Sequence, residues 1–374
     1  MKKNIYADNA ATTKLDRNAF EAMVPWLTDE FSNASQPYSI TRKPKKALAE
    51  ARETIARSIN ALPEEIFFTS GGTESDNWAI KGSAFSDFDK RTTITSSIEH
   101  HAVLNSCKAI ELLGYPVVYL PPNKFGVVTP DLLEEHISVD TRLVSIMFSN
   151  NEIGTIEPIK ELAAVAHKYG ALFHTDAVQA VGHVKIDVKD LGMDMLSGSA
   201  HKFNGPKGVG FLYVRKGVSI VPFNDGGSQE RGLRAGTENI ASIVGMATAL
   251  RINFEQMDTN KQYIETLEQE LLSGIRKLDY VLNSAKHHVP GNISLSFKNA
   301  DGETILHRMD LMGICISTGA ACDGKKEQVS HVIKAIGVPQ EYAAGTIRIS
   351  LSKDNTIEEV KCIAAALVKI LKDK

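Results

Sequence analysis

In "LSGSAHKFNGPKGVG" a lysine, Lys202, follows an apolar run, with Ser199 and His201 beside it and glycines after it. A partly desolvated lysine has a lowered pKa and forms Schiff bases with carbonyl compounds. The plain alternative is a solvated surface lysine. "FFTSGGTESDN" places Gly71 and Gly72 at a strand end, and Thr73, Glu74 and Ser75 then open a helix. Glycines admit a close approach of the backbone, and free helix N–H groups with a hydroxyl hold an anion such as phosphate. The alternative is an ordinary helix cap. "HTDAVQAVG" sets Asp176 directly after an apolar strand, where a carboxylate is costly without a positive partner; a helix cap is again the alternative. "SSIEHHAVL" offers His100 and His101, rings that stack on a flat aromatic and move protons near neutral pH, or that cap a helix or fill a core.

Each signal is weak by itself, but together they describe one ligand, a phosphorylated pyridine aldehyde. Thr73 and Ser199 would hold the phosphate, Asp176 would face the ring nitrogen, and Lys202 would form the imine. Enzymes that use pyridoxal 5′-phosphate (PLP) combine a Schiff-base lysine with a carboxylate at the pyridinium nitrogen. The phosphate-cradle sequence is neither a Walker loop nor GxGxxG, so a nucleotide is not expected. A further signal is "STGAACDGKKEQ", which puts Cys322 between small residues and charged ones. A free cysteine ordinarily packs as a small apolar residue, and no apolar run surrounds this one.

The elements that must position these residues form an alternation. From about residue 44 to 215, strand-like runs ("EEIFFTS", "RTTITSS", "RLVSIMFSN", "ALFHTDA", "MDMLSGSA") alternate with helical patterns. That predicts an α/β fold with a mostly parallel sheet flanked by helices, with ligands bound at the carboxyl ends of the strands. "KGVGFLYVR" reads as a closing strand. A helical stretch follows from about Thr237 to Leu278, as more than one helix. Then come "GNISLSF", a helix near "GETILHRMDLMG", the strands "ICIST" and "TIRISLS", and a last helix from about Ile357. This second set reads as βαβ-like. The expected division is a large domain over 15–255 and a smaller α+β domain formed by 1–14 and 256–374.

The 374 residues are 43% hydrophobic and 23% charged, with a net charge of −3, as in an ordinary globular protein. Nothing in that balance calls for nucleic acid or a membrane surface as partner. "MKKNIYADNAATT" lacks the apolar core of a secretory signal. The four cysteines are scattered, with no CxxC pair, which argues against a zinc site or a disulfide framework and for a reducing cytoplasm. No metal is expected.

The chain resembles the cysteine desulfurases of the NifS/IscS type, in the class V aminotransferase group of fold-type I PLP enzymes. The likeness covers nearly the whole chain and is carried by "YADNAATT", "NAS", "FTSGGTESDNWAIKG", "EHHAVL", "SNNEIGTIEPI", "HTDAVQAVG", "SGSAHKFNGPKGVG", "RGLRAGTENI", "STGAAC" and "TIRISLS". The resemblance implies that Lys202 carries PLP, that His100 stacks on its ring, and that Asp176 pairs with the ring nitrogen. It implies that Gln179 contacts the ring 3′-oxygen, and that Gly72, Thr73, Ser199 and His201 hold the phosphate. Thr237 would reach the phosphate of a neighbouring subunit, which requires a homodimer. Arg348 would clamp the substrate carboxylate, helped by Asn33 and by Asn151, which also borders the cofactor. L-cysteine would be the substrate. Cys322 would take its sulfur as a persulfide, leave alanine, and pass the sulfur to an acceptor protein of iron–sulfur cluster assembly or thiolation.

The chain departs from that family at two places. "NASQPYSITRKPKKA" has Tyr38 where histidine is frequent and Thr41 where glycine is frequent, and the active loop continues as Cys322-Asp323-Gly324-Lys325-Lys326. Two other readings compete: a selenocysteine lyase or another class V lyase or aminotransferase, and a sulfur-relay partner without turnover. The intact Lys202, Asp176, His100 and Arg348 argue against the last.

Overall fold

A computed structural model describes residues 4–87, 89–319 and 329–372. Its strands are β1 (Ile5–Tyr6), β2 (Ile66–Thr69), β3 (Thr92–Ser96), β4 (Val117–Leu120), β5 (Thr141–Ser145), β6 (Leu172–Asp176), β7 (Met195–Ser199), β8 (Gly210–Val214), β9 (Tyr280–Leu282), β10 (Asn292–Phe297), β11 (Ile314–Cys315) and β12 (Thr346–Ser350). Its helices are α1 (Arg17–Thr28), α2 (Arg42–Ser58), α3 (Gly72–Ala84), α4 (His101–Glu111), α5 (Pro130–His136), α6 (Ile159–Lys168), α7 (Ile240–Glu255), α8 (Met257–Ile275), α9 (Gly302–Leu311), α10 (His331–Ala335), α11 (Gln340–Ala343) and α12 (Ile357–Lys372).

The central sheet has the order β2-β8-β7-β6-β5-β3-β4. Only β8 runs against its neighbours, pairing antiparallel with β2 and β7. The other six strands therefore point the same way, and the residues that follow β2, β3, β5, β6 and β7 gather along one edge. The strands are short runs rich in β-branched and apolar residues, buried on both faces, as a sheet covered by helices on each side requires. Apolar residues from β2, β5, β6 and β7 join those of α2, α6 and α7 in one buried cluster. A second cluster joins Ala7 to α8, α9, α12 and the strands β10 and β12.

The sequence missed β4. Its four residues follow α4 after only a short turn, so the apolar run blends into the helical pattern before it. β8, the last strand of this sheet in the chain, lies between β2 and β7. The helical stretch from Thr237 is two helices, α7 and α8, separated at Gln256 (φ −105°, ψ 6°). The βαβ-like expectation for the last third is corrected. β10 lies between β9 and β12 and pairs antiparallel with both. β11, only two residues long, pairs in parallel with β1 instead. The helix α9 thus leads from one sheet to another, because the N-terminal strand offers β11 its partner and both edges of β10 are already taken. No helix among the described residues is long and apolar enough to cross a membrane.

Candidate active site at the carboxyl edge of the sheet

The β2–α3 junction makes an anion cradle. Gly71 has φ +149° and ψ −177°, a backbone state closed to side-chain-bearing residues, and no side chain caps α3. At Gly72 a Cβ would lie 2.5 Å from the Val178 side chain, so only glycine lets α3 start this close to the residues after β6. The Ser199 hydroxyl faces the same junction, 3.6 Å from where a Gly71 Cβ would stand. Ser199 is buried, and its hydroxyl makes no hydrogen bond within the described chain. Thr73, in the first turn, is exposed. An uncapped helix end, a close-approach glycine and an unused buried hydroxyl fit a phosphate group.

Asp176 ends β6 and is 5% exposed, with Oδ1 accepting the Val178 N–H at 2.9 Å. It is a helix-capping type of contact, yet the carboxylate also faces His100 and Lys202. Burial raises its pKa, while His100, the Val178 N–H and Lys202 oppose the rise. His100 precedes α4 and caps it: Nδ1 accepts the Ala102 N–H at 3.1 Å. An accepting Nδ1 leaves the proton of the neutral ring on Nε2. Burial lowers its pKa, with Asp176 acting against this and Lys202 adding to it. The ring is therefore held neutral near pH 7.

Lys202 follows β7 in a short helical turn. Its ammonium donates to the Ala10 and Ala11 carbonyls at 2.5 and 2.9 Å. Gln179 donates to the same Ala10 carbonyl at 2.9 Å, and His183 contacts the Lys202 carbonyl at 2.8 Å. The "DNAATT" segment is thus stitched to the lysine. His201 rests on Thr12 Oγ1 at 3.1 Å, and burial, then Lys202 and Lys207, push its pKa down to about 4. It is a neutral donor or acceptor there, and not a cation.

Arg348 lies on β12 and is 6% exposed. It donates to the Asn151 carbonyl and to Asp8 Oδ1, each at 2.8 Å, while its buried Nε has no hydrogen-bond partner. The unused Nε edge of a guanidinium is a carboxylate receptor. Asn151 joins Arg348 through its main chain. No hydrogen bond joins Asn33 to Arg348; Asn33 Oδ1 accepts the Ser35 N–H at 2.8 Å. Thr237 is exposed beside Thr69, Ser70 and Gly208. Thr41, at the departure from the family pattern, is 1% exposed and donates to the Gln36 and Tyr38 carbonyls, closing the turn. Cys322 lies outside the described residues.

The aminotransferase class-V family matches residues 5–363. The chain belongs to this family. Among similar class-V proteins is "Cysteine desulfurase IscS" of Dictyoglomus turgidum, 47% identical over 99% of this chain and 95% of that protein. A solved structure titled "NIFS-LIKE PROTEIN" has a TM-score of 0.94 at 39% identity, covering 99% of this chain and 100% of the other. Another, titled "SspA in complex with cysteine", has a TM-score of 0.85 at 38% identity, with coverage of 94% and 100%. The fold is accordingly the α/β fold of NifS-like class-V proteins.

Residues that the sequence reading did not single out also meet at this class-V site. Asp8 holds Arg348. Glu152 accepts from the Ser330 hydroxyl at 2.6 Å and lies against Gly319. Asp76, on α3, turns its carboxylate inward toward Asp176 and His100. A carboxylate in a helix or a loop reads as solvated, and nothing in its neighbours says which way it points.

Proposed function

We propose that this chain is a PLP-dependent cysteine desulfurase. The observation that carries the reading is the meeting, at one sheet edge, of the α3 cradle, Asp176, neutral His100 and Lys202. The relatives named cysteine desulfurase support it. When bound, PLP supplies an electron sink that eases loss of the substrate Cα proton and of its sulfur. Gly72, the free N–H groups of α3, Thr73, Ser199 and His201 hold the phosphate. Asp176 meets the ring nitrogen, His100 covers the ring face, and Gln179 reaches the 3′-oxygen. The Lys202 amine, once free of the Ala10 and Ala11 carbonyls, takes and returns the Cα proton. Arg348 binds the substrate carboxylate, with Asp8 and the Asn151 carbonyl fixing its plane and Asn33 lending a polar contact.

The overall change is L-cysteine plus the Cys322 thiol giving L-alanine plus a Cys322 persulfide. The Cβ–S bond of the substrate breaks, an S–S bond forms, and no outside oxidant or reductant is needed. The thiolate is the attacking form. Ser317, at the head of "STGAAC", pairs by two backbone hydrogen bonds of 2.7 and 3.0 Å with Arg348. That pairing supports delivery of Cys322 to the clamped substrate. The sulfur then passes to an acceptor protein. A homodimer, with Thr237 lent to the partner's cradle, is supported by the exposed apolar side chains Leu27, Phe31 and Ile40 around the end of α1. The two buried clusters support a division into a large domain (15–255) and a small one (1–14 with 256–374).

The test is the absorbance spectrum of the purified chain, then alanine and sulfide assays with L-cysteine. A visible band that shifts with cysteine, and products that vanish in Cys322→Ala, support the reading. Products that survive the substitution move the function to another class-V lyase.

A further inference from the structure

A second carboxylate stands behind Asp176, and the reading above gives it no task. Asp76 lies on α3, one turn beyond the cradle, and is 1% exposed. Its Oδ1 has no hydrogen-bond partner and lies 3.8 Å from His174 Nε2. One oxygen of Asp76, one oxygen of Asp176 and one ring nitrogen of His100 all lie within 4.8 Å of one another.

No counter-charge is assigned to Asp76 among the described residues. His174 is fully buried, and its two ring nitrogens face the Ser145 and Ser197 hydroxyls at 2.9 and 3.0 Å. Burial pushes its pKa down to about 3, so it is neutral. Lys202 is hydrogen-bonded to the Ala10 and Ala11 carbonyls. His100 gives Nδ1 to α4. Glu99 is buried with one oxygen on the Met147 N–H at 2.8 Å, and it brings a further acid, not a cation.

We propose that Asp76 and Asp176 form a proton-sharing dyad, in which Asp76 is a positioning residue that acts through Asp176 to set how affinity for a cationic ring nitrogen changes with pH. This deepens the PLP reading and rests on it. Two carboxylates this close in a buried site do not both ionise readily, and they titrate as a pair. Burial raises the pKa of each, and repulsion from Asp176 raises that of Asp76 further, against a hydrogen bond from Ser197 that lowers it. Below its upper step the pair holds one shared proton and one negative charge. A cationic ring nitrogen placed against Asp176 favours the doubly charged pair, so binding expels the shared proton. Affinity then rises with pH through that step, by up to about tenfold per pH unit for one proton. Asp76→Asn keeps the shape and removes the titrating group, so this increment disappears.

The experiment uses the full chain stripped of cofactor. Binding of 4′-deoxypyridoxine 5′-phosphate is measured from about pH 6 to about pH 9 for wild type and Asp76→Asn. This analogue has the ring nitrogen and the phosphate but no aldehyde, so condensation with Lys202 does not contribute. Expected is a ratio of dissociation constants, variant over wild type, that climbs with pH by up to about tenfold per unit. A flat ratio with binding intact overturns the dyad and leaves the PLP reading standing. Failure of wild type to bind either the analogue or PLP overturns both. Should Asp76→Asn not fold, proton release by wild type on binding the analogue in weak buffer decides: release near the upper step supports the dyad, and none at any pH overturns it.

Discussion

Two buried acidic groups of this chain live in opposite circumstances. Glu230 is 7% exposed, yet every oxygen is engaged: Arg52 donates to both at 2.6 and 2.8 Å, and the Phe68 N–H donates at 2.9 Å. Arg52 also covers the Phe68 ring at 4.3 Å, and Arg231 covers Phe67 at 3.9 Å. This network holds the backbone at Glu230 (φ +45°) and Arg231 (φ +60°) in a state that non-glycine residues seldom adopt. Asp76, Asp176 and Glu99 are as deeply buried, but Asp76 Oδ1 and Glu99 Oε2 have no hydrogen-bond partner. The first region is closed on itself and serves the fold. The second keeps polar capacity in reserve, at the edge where a charged ligand would use it.

Lys202→Ala tests the open side of that contrast most severely. Alanine and sulfide formation from cysteine should fall by about 10²–10⁴-fold or more, since proton transfer by a positioned group accounts for that much alone. The fold should survive, because Lys202 is only half-buried and its contacts are with loop carbonyls. A circular dichroism melt beside the product assay separates the two. Retention of near-normal turnover would remove Lys202 from the chemistry.

The closed side is tested by Arg52→Leu. It strands Glu230 without the guanidinium that is bonded to both its oxygens, and breaking a buried pair in this way costs about 3–5 kcal/mol. Denaturant unfolding should show that loss. Asp76→Asn, which removes a titrating carboxyl that no cation is paired with, should cost no stability at neutral pH. Equal losses in the two variants would erase the distinction between the regions.

Much of the site was legible in the sequence because its chemistry follows apolar runs. Asp176, Lys202, His100 and the Gly71–Gly72 pair each lie at the end of a strand or within about four residues after it, and a parallel sheet collects such positions on one edge. The residues that tune them were not legible. Asp76 is a helix residue whose inward direction depends on how α3 docks, and Asp8 meets Arg348 from the other end of the chain. Long-range pairing was lost for the same reason. β11 pairs with β1 across most of the sequence, which no local pattern encodes. The αL backbone at Glu230 and Arg231 is imposed by Arg52, and their residue types alone suggest plain polar surface.

Arg348→Lys is expected to have a smaller effect, confined to substrate. Lysine keeps the charge but loses the planar fork and the free Nε edge. Losing one charged hydrogen bond costs about 1.5–3 kcal/mol, or about 10–150-fold in kcat/KM for cysteine. The visible spectrum of the bound cofactor should stay unchanged. A matching loss of cofactor binding would place Arg348 in the cradle instead of the clamp.

The smallest expected effect lies where the two buried clusters are tied. His288 pairs with Glu268 of α8 at 2.8 Å, and Glu268 also accepts the Gly291 N–H at 3.1 Å. The same loop bonds to 154–156 through the Val289 N–H and the His287 carbonyl, close behind Asn151. The Glu268 hydrogen bond, working against burial, raises the His288 pKa above the 6.5 of a free imidazole. A raised folded pKa means that the unfolded chain gives up this proton first. The stabilisation is therefore complete below about pH 6.5 and is lost as pH climbs through the folded value. His288→Gln should lower the melting temperature most at about pH 6 and progressively less toward about pH 9. A gap that widened with pH would mean that the neutral ring, through packing alone, holds the loop against 154–156.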